Sequence, residues 1–356
     1  MDERNNFNRR KSHDDLENQN ERFVGTNDLN RQIRKLTFEY KNMINKSKLI
    51  IVSLIILIFT ALSAFASPRV YVAASGSDAN FICALPTLPC RTISKALLFA
   101  DDGGEVIITE SGDYDTFSVV KSVTVAAAPG VNAGIVSSRS FAVVIGQEAT
   151  VRAVKILNLN FLNINTAEPT QGINDITAAN LYVENCTFTG FSSGIRATIG
   201  GMNAGKLSVR NSTFRKNDKG VDVIDSGLIQ STFNVLVDSC KFEHNKIGVY
   251  LGGQLNASIL NSVMSDNDDY GIQLLTPKGS RTEAVVDNCL LTNNNAGIGA
   301  YGANGAIAYL TRSTVTQNIA EGVHVGSGGT VYSFQNNTIS GNFPDVSGNM
   351  TPVTLR

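Results

Sequence analysis

The sequence of 356 residues contains no tryptophan and only three histidines. An aromatic platform for a ligand would therefore have to be built from tyrosines such as Tyr250, Tyr270 and Tyr301. The histidines lie far apart and the five cysteines form no Cys-x-x-Cys pair, so the sequence predicts neither a metal site nor a cofactor. The net charge of −1 lacks the basic excess that attracts nucleic acid, and no nucleic-acid partner is expected.

Long apolar runs are absent apart from one segment near the N-terminus. Residues 49–62 are almost continuously aliphatic and follow Lys46 and Lys48. This run is short for a membrane span, but its length suits the core of a signal peptide, and the Ala-Phe-Ala at residues 64–66 is a cleavage pattern. Cleavage there would leave Ser67 as the first residue of the mature protein.

The start of the chain has two interpretations. Residues 1–42 are polar and are predicted to be disordered. Either translation begins at Met43 and residues 43–66 are a signal peptide, or it begins at Met1 and residues 49–66 stay in the membrane as an anchor. Both interpretations place residues 67–356 outside the cytoplasm, in the periplasm, on the cell surface or in the medium. A membrane partner is expected only through residues 49–66, if they are not cleaved.

Export determines the expected oxidation state of Cys83 and Cys90, which bracket the sequence Ala-Leu-Pro-Thr-Leu-Pro. In an oxidising compartment we expect these two residues to form a disulfide. A reactive thiol pair is the alternative interpretation.

A sequence motif of about fifteen residues recurs along residues 138–356 with a period of about 25 residues, which is typical of a solenoid. Two sequence positions, called marks below, recur with this period. The first is an Asn, or a substitute for it, that usually precedes Cys or Ser, and the second is a Gly that precedes Ile or Val. The first mark falls at Asn158, Asn185, Asn211, Ser239, Asn261, Asn288, Arg312 and Asn336. The second falls at Gly172, Gly194, Gly220, Gly248, Gly271, Gly297 and Gly322.

The pattern inside each unit is that of strands. Apolar residues alternate with polar ones, and the alternation is interrupted at two bends. Neither helical spacing nor the Leu-x-x-Leu-x-Leu core of a leucine-rich repeat is present. We therefore predict an all-β solenoid with three short strands per coil, in which each residue lies about 4.8 Å above its counterpart in the coil below.

Stacked coils place like residues in columns. The inward position after each Asn is predicted to hold small core residues, namely Cys186, Ser212, Cys240, Ser262, Cys289 and Ser313. The three cysteines are expected to be free thiols. A second polar column before each Gly is expected to hydrogen-bond the bends, and its predicted members are Asn217, Asn245, Asp268 and Asn294.

The first coil needs a cover, because an open coil exposes strand edges and core. Ile93, Ala96, Leu97 and Ala100 have helical spacing, and Thr92 precedes them as an N-cap. The spacing predicts a short amphipathic capping helix. Residues 67–137 are accordingly expected to form the N-terminal cap and the first coils, and residues 138–356 the repeats and a C-terminal cap.

The segments "RVYVAASGSDAN", "CALPTLPCRTISKAL", "DDGGEVIITESGDY" and "GGTVYSFQNNTISGN" extend this pattern at both ends. With them, residues 69–342 resemble the bacterial right-handed parallel β-helix repeat proteins of the pectin-lyase-like superfamily. The resemblance implies a right-handed parallel β-helix. Pectate lyases and polygalacturonases of that superfamily carry specific motifs, but no Gly-His-Gly, Asn-Thr-Asp or Arg-x-Pro-x-x-Arg occurs here, so both activities are disfavoured.

An outward column two residues beyond each Gly is the candidate binding strip. It consists of Arg196, Asp222, Tyr250, Gln273, Gly299 and His324. The strip could line a sugar-binding groove. The favoured interpretation is plainer: a solvated sheet face with a surface ion pair between Arg196 and Asp222.

We expect an exported, non-catalytic β-helix that serves as a cell-envelope scaffold or binds an extracellular polysaccharide. The alternative is a carbohydrate-active enzyme, either a polysaccharide lyase or a glycoside hydrolase, with a site formed by Asp222, Tyr250, Gln273 and His324. A membrane-tethered adhesin is a third possibility if the N-terminal segment is an anchor.

Overall fold

The computed structural model describes residues 31, 34–39, 41, 43, 69–146, 151–165, 170–176, 180–199, 205–225, 232–303 and 305–354. The chain divides into two units, Met1–Ala66 and Ser67–Arg356. In the first unit residues 34–39 are helical, within the leader for which the sequence predicts disorder. Residues 44–66, which hold nearly all of the expected signal or anchor segment, lie outside the described residues. Among the residues that are described, no helix has the length and apolar character to span a membrane.

The second unit is a parallel β-solenoid with three sheets, as the alternating pattern predicts. In its described part, sheet A contains twelve strands. They are β1 (Arg69–Val72), β2 (Gly104–Ile108), β5 (Val123–Ala127), β8 (Ala153–Leu157), β11 (Asn180–Glu184), β14 (Lys206–Arg210), β17 (Phe233–Asp238), β20 (Leu255–Leu260), β23 (Thr282–Asp287), β26 (Ala306–Thr311), β29 (Gly329–Phe334) and β32 (Met350–Val353).

Sheet B follows the first bend of each coil and contains ten described strands. They are β3 (Gly112–Tyr114), β6 (Ala133–Ser137), β9 (Leu159–Asn163), β12 (Thr187–Thr189), β15 (Thr213–Arg215), β18 (Lys241–Glu243), β21 (Val263–Ser265), β24 (Leu290–Thr292), β27 (Thr314–Thr316) and β30 (Thr338–Ser340).

Sheet C follows the second bend and also contains ten described strands. They are β4 (Phe117–Val119), β7 (Phe141–Ile145), β10 (Gln171–Asp175), β13 (Ser193–Ile199), β16 (Lys219–Asp225), β19 (Ile247–Gly252), β22 (Tyr270–Thr276), β25 (Ala296–Gly302), β28 (Glu321–Val325) and β31 (Val346–Ser347).

Like residues stack along the axis of the solenoid. The rings of Phe161, Phe188, Phe214 and Phe242 form one inward column on sheet B, with centroid separations of 4.6, 4.9 and 4.8 Å. These separations match the spacing of about 4.8 Å between adjacent strands. The core is therefore a continuous set of layers, each filled by the same position of successive coils.

The inward Cys and Ser column is confirmed. Its members are all buried, and Cys186, Cys240 and Cys289 are free thiols. The serines also have a bonding role, because the backbone N–H of Cys186 donates to Oγ of Ser212 at 3.2 Å. The same bond recurs from Cys240 to Ser262 and from Cys289 to Ser313.

The Asn mark lies at the bend between sheets A and B. Asn158, Asn185, Asn211, Ser239, Asn261, Asn288 and Arg312 all have φ between 46° and 60°. Asn adopts this left-handed conformation more readily than most residues, which explains its recurrence. The predicted amide ladder is present in part here: Asn185 donates to Asn158 at 3.1 Å and Asn288 donates to Asn261 at 2.8 Å.

The second polar column requires a correction. Its member in the coil after Asn245 is Asn267 and not Asp268, since Nδ2 of Asn245 donates to Oδ1 of Asn267 at 3.1 Å. The bend of that coil has one more residue between the Asn and the Gly, so counting back from Gly271 selects the wrong position. The buried ladder runs through Asn217, Asn245, Asn267 and Asn294 and continues to Asn318 and Asn342.

The expected helix, α1, spans Ile93–Phe99 and ends one residue before Ala100. Oγ1 of Thr92 accepts a hydrogen bond of 3.1 Å from the backbone N–H of Lys95, which is an N-cap. The apolar face of α1 belongs to the solenoid core. Beside it, the sulfurs of Cys83 and Cys90 are bonded, and their Cα atoms are 5.3 Å apart.

Candidate functional site

The candidate binding strip forms a single column on the outer face of sheet C. Arg196, Asp222, Tyr250, Gln273, Gly299 and His324 are direct register partners on adjacent strands from β13 to β28. Their chain neighbours on both sides point into the core, as strand alternation requires. The sequence therefore identified the register of this column correctly.

The surface ion pair expected between Arg196 and Asp222 requires a correction. The side chain of Asp222 is only 1% exposed, whereas that of Arg196 is 36% exposed. Nη1 of Arg196 lies 3.8 Å from Oδ2 of Asp222. The same carboxylate accepts a hydrogen bond of 3.0 Å from Oγ of Ser193 and one of 3.1 Å from Nζ of Lys219. Asp222 is thus the buried centre of a small polar network, because flanking side chains cover it.

Lys219 links this network to the aromatic part of the strip. Its Nζ lies 3.9 Å from the ring centroid of Tyr250, a cation–π contact. Burial, and next the charge of Asp222, raise the pKa of Tyr250. The phenol is therefore neutral at physiological pH. Sequence reasoning missed Lys219 because it belongs to the neighbouring outward column, on the other side of the repeat Gly.

The far end of the strip is aromatic. The ring centroids of Tyr270 and Tyr301 are 6.1 Å apart, and that of His324 lies 6.5 Å from Tyr270 and 5.6 Å from Tyr301. Nε2 of Gln273 hydrogen-bonds the hydroxyl of Tyr301. Burial, and next the interaction with Tyr301, raise the pKa of Tyr270. These residues give the strip both ring surface and hydrogen-bonding groups.

Glycines make room for these rings. A Cβ atom on Gly299 would lie 2.5 Å from Cε1 of Tyr270, and one on Gly326 would lie 2.7 Å from Cβ of Tyr301. Both distances are far below van der Waals contact. Gly299 is therefore the position in the strip over which the Tyr270 ring lies, and any larger residue would displace the ring.

His324 has a close acidic neighbour that the sequence reasoning missed. Oε2 of Glu321 lies 2.6 Å from Nδ1 of His324. Among the described residues Nδ1 of His324 has no hydrogen-bond partner, so Glu321 is a close neighbour of the ring that is not hydrogen-bonded to it. Glu321 and Tyr270 each precede the repeat Gly of their coil, so they share one column next to the strip. A search of this column together with the strip would have found Glu321.

At its other end the strip continues through Asn174 and Val144 to Ser118. There it enters a cleft of about 620 Å³ between α1 and the first strands of sheet C. Leu98 of α1 is among the lining side chains. From His324 to the cleft, the surface along sheet C is thus aromatic, then polar, then apolar.

Within the described ranges, no group of three or more His, Cys, Asp or Glu side chains is arranged to hold a metal ion.

Comparison with known proteins decides the family. A family model described as the right handed beta helix region matches residues 141–339, which is more than half of the chain. This protein belongs to the right-handed β-helix family. The right-handed β-helix is the fold that the sequence resemblance predicts.

Three solved structures are similar in fold to this β-helix protein. A rhamnogalacturonan lyase is 14% identical over 76% of this chain and 74% of its own, with a TM-score of 0.43. The pectate lyase Pel9A is 18% identical over 78% and 72%, with a TM-score of 0.45. The A-module of the Azotobacter vinelandii mannuronan C-5 epimerase AlgE4 is 14% identical over 71% and 91%, with a TM-score of 0.44. No curated protein matches the sequence.

Proposed function

We propose that this β-helix protein is an exported, non-catalytic module that binds a linear extracellular polysaccharide along the outer face of sheet C. One observation carries the proposal: Gly299 leaves space for the ring of Tyr270 and is a direct register partner of Gln273 in the strip. In this proposal α1 is the cap that covers the first coil, and the solenoid is the scaffold that presents the strip.

The chemistry of the strip suits a sugar polymer. Sugar rings present apolar C–H faces together with hydroxyl groups, and a site for them combines aromatic surface with a few fixed hydrogen-bonding groups. Tyr250 and Tyr270 provide rings, while Gln273 and Arg196 provide donors. Because the column repeats at each coil, about every 4.8 Å, a chain parallel to the axis would meet one side chain per coil.

Export rests on the character of residues 43–66 and on the bonded pair Cys83 and Cys90, since structural disulfides are typical of oxidising compartments. N-terminal sequencing of the protein from its native host tests this part. A chain that begins at Ser67 means release, and an intact leader means a tethered adhesin. Either result supports export, whereas recovery of the protein from the cytoplasmic fraction would contradict it.

Binding is tested with a panel of linear polysaccharides, followed by calorimetry on the variants Tyr250→Ala and Tyr301→Ala. We expect each variant to bind at least about tenfold more weakly, since loss of a ring contact removes on the order of 1–3 kcal/mol. Tyr309→Ala is the matched control, because Tyr309 is a half-buried outward tyrosine on sheet A. Absence of binding over the whole panel, or equal losses in all three variants, would exclude the strip as the site.

A second candidate function, that of a carbohydrate-active enzyme, is favoured by the contact between Glu321 and His324. Glu321 lies on the Nδ1 side of the ring, which leaves Nε2 as the nitrogen for proton transfer. Hydrolysis needs two carboxyl groups about 5–9.5 Å apart. Asp222 and Glu321 lie four coils apart, which is about 19 Å at the strand spacing of about 4.8 Å. A lyase with His324 as the base is therefore the enzyme that this strip could form.

The two candidates differ in their products. The binding module leaves polysaccharides intact, whereas a lyase releases unsaturated ends that absorb in the ultraviolet. Activity that His324→Ala abolishes while glycan affinity is retained would replace the first proposal with the second. Activity that this variant retains would point to a contaminant or to another site.

A further inference from the structure

The cleft between α1 and the first strands of sheet C gathers three exposed apolar side chains. Leu98 on α1 is 71% exposed, Val120 just after β4 is 48% exposed, and Phe141 at the start of β7 is 36% exposed. All three line the cleft, whose volume is about 620 Å³. Sites for small molecules have volumes of about 300–1,000 Å³ and mostly apolar walls. The cleft therefore has the size and the walls of a small-molecule site.

The walls of the cleft are regular elements, so its shape is set by the fold. The buried face of α1 packs into the solenoid core, and Leu98 lies about 100° round the helix from the buried Leu97. On the sheet side, Ser118 of β4 and Val144 of β7 are register partners on the outer face. The cleft is thus formed before any ligand arrives, and binding there needs little ordering of the chain.

Two cations line the cleft, and hydrogen bonds fix the position of each. Nζ of Lys121 donates to the carbonyl of Ala100, at the end of α1, at 2.9 Å. Because an ammonium group has three donors, this bond leaves two for a ligand. The backbone of Arg139 is held by the buried Ser137, whose Oγ accepts from the N–H of Arg139 at 3.3 Å and donates to its carbonyl at 3.1 Å.

The charge of the cleft has one sign. Among the described residues, none that lines the cleft is Asp or Glu, and no carboxylate lies within ion-pair distance of Lys121 or Arg139. Later coils differ, since Arg215 pairs there with Glu243. Cations that carry no carboxylate partner and lie beside apolar surface complement a ligand with an acidic head group and an apolar body.

We propose that this cleft binds a small amphipathic anion. The apolar body of the ligand lies against Leu98, Val120 and Phe141, and its carboxylate, sulfonate or phosphate head group is bound by Lys121 and Arg139. The ligand is a free small molecule, so this site goes beyond the proposed polysaccharide strip and does not depend on it.

The absence of tryptophan makes a direct test possible, because Phe141→Trp places a single reporter in the cleft. Phe343→Trp is the matched control, since Phe343 is 85% exposed and lies outside the cleft. The full chain, kept in phosphatidylcholine nanodiscs so that no detergent competes, is titrated with brominated decanoate and with brominated decanol. We expect saturable quenching of Phe141→Trp by the decanoate, at least about tenfold weaker binding of the uncharged decanol, and no saturable quenching of Phe343→Trp.

The role of the two cations is tested on the Phe141→Trp background. Lys121→Met together with Arg139→Gln removes both charges and keeps side chains of similar length. We expect the affinity for decanoate to fall at least about tenfold and that for decanol to stay within about twofold. Lys241→Met together with Arg210→Gln is the matched control, because both residues are exposed cations outside the cleft, and it is expected to change neither affinity.

Leu98→Ser tests the apolar wall and leaves the hydrogen bond of Lys121 to α1 in place. Since Leu98 is exposed, the variant should fold as the parent does, and it should bind decanoate and decanol severalfold more weakly. Equal affinities of the parent cleft for the two ligands, alike quenching of the two reporters, or unchanged binding by Leu98→Ser would overturn the proposal. Quenching by vesicles of brominated phosphatidylglycerol and not by decanoate would also overturn it, in favour of a lipid surface. No glycan is present, so these outcomes are separate from a failure of polysaccharide binding.

Discussion

Nδ2 of Asn217 donates a hydrogen bond of 2.9 Å to Oδ1 of Asn245 in the next coil. Asn245 repeats the arrangement, donating to Asn267 at 3.1 Å and to the carbonyl of Phe214 at 3.0 Å. Its Oδ1 also accepts the backbone N–H of Asn217 at 3.1 Å. Each buried amide therefore satisfies two backbone groups of the preceding coil and hydrogen-bonds the amide of the next coil, and the ladder ties the bends between sheets B and C together.

Replacement of Asn245 by Ala should destabilise the solenoid by about 3 kcal/mol, because it leaves the N–H of Asn217 and the carbonyl of Phe214 buried without a partner. Urea unfolding followed by circular dichroism measures the loss. Asn256→Ala is the control, since Asn256 is exposed on β20. A loss below about 0.5 kcal/mol for Asn245→Ala would mean that the ladder is not a source of stability.

The repeat Gly of each coil lies where the chain passes close to its neighbours. A Cβ atom on Gly220 would be 2.6 Å from the carbonyl oxygen of Gly248 and 2.6 Å from Cδ1 of Phe242. Gly220→Ala should therefore cost about 2–3 kcal/mol of unfolding free energy, as overpacking against backbone does. Gly146→Ala is the matched control, because its Cβ would be 3.5 Å from the nearest atom. Equal stability of the two variants would show that the coils can separate locally at low cost.

The fold was predictable because every coil of a solenoid imposes the same conformational requirements on the residues at equivalent positions. An Asn at a left-handed bend and a Gly at a close approach recur in each coil, so the period is visible in one sequence. The register of the Asn ladder was wrong at Asp268 because one coil has a longer bend. Chain spacing alone cannot show whether an extra residue lies before or after the Asn of the bend.

The candidate site was predictable only in part. The column from Arg196 to His324 follows from counting along each strand, because strand geometry fixes which residues are register partners. The partners Lys219 and Glu321 belong to a neighbouring column, and their contacts depend on side-chain conformations that a sequence does not encode locally. The burial of Asp222 has the same origin, since it is produced by side chains from two adjacent coils.

Gly299 offers a test of the site that leaves the core intact. Ala at this position would place a Cβ atom 2.5 Å from Cε1 of Tyr270, and the ring would have to move because it is the more flexible partner. We expect glycan affinity to fall at least about fivefold, by analogy with other lost aromatic contacts of about 1 kcal/mol, with an unfolding free energy within about 1 kcal/mol of the parent. Calorimetry and urea unfolding report the two quantities. Unchanged affinity together with a displaced Tyr270 would remove this ring from the site.

The three free cysteines test whether the small inward column is closed to solvent. Burial raises the pKa of Cys186 and of Cys240 to about 12, and that of Cys289 to about 11. Since the thiolate is the reactive form, the folded chain should not react with iodoacetamide at pH 8, and mass spectrometry should find three modified thiols only after denaturation. Rapid modification of the folded chain at any of the three positions would place that residue outside the core.

The same raised pKa values predict a loss of stability in alkali. In the unfolded chain these thiols ionise from about pH 9, whereas in the folded chain burial keeps them protonated up to about pH 11 to 12. The unfolded state therefore releases protons first, so the contribution of the thiols is complete below about pH 9 and falls progressively as the pH rises toward their folded values. A variant with Ser at Cys186, Cys240 and Cys289 keeps the residue type of the alternate coils and lacks these groups. Its unfolding free energy, measured in urea, should decrease less between pH 8.5 and pH 10.5 than that of the parent chain. Parallel curves for the two proteins would show that these thiols titrate alike in both states, which is incompatible with their burial.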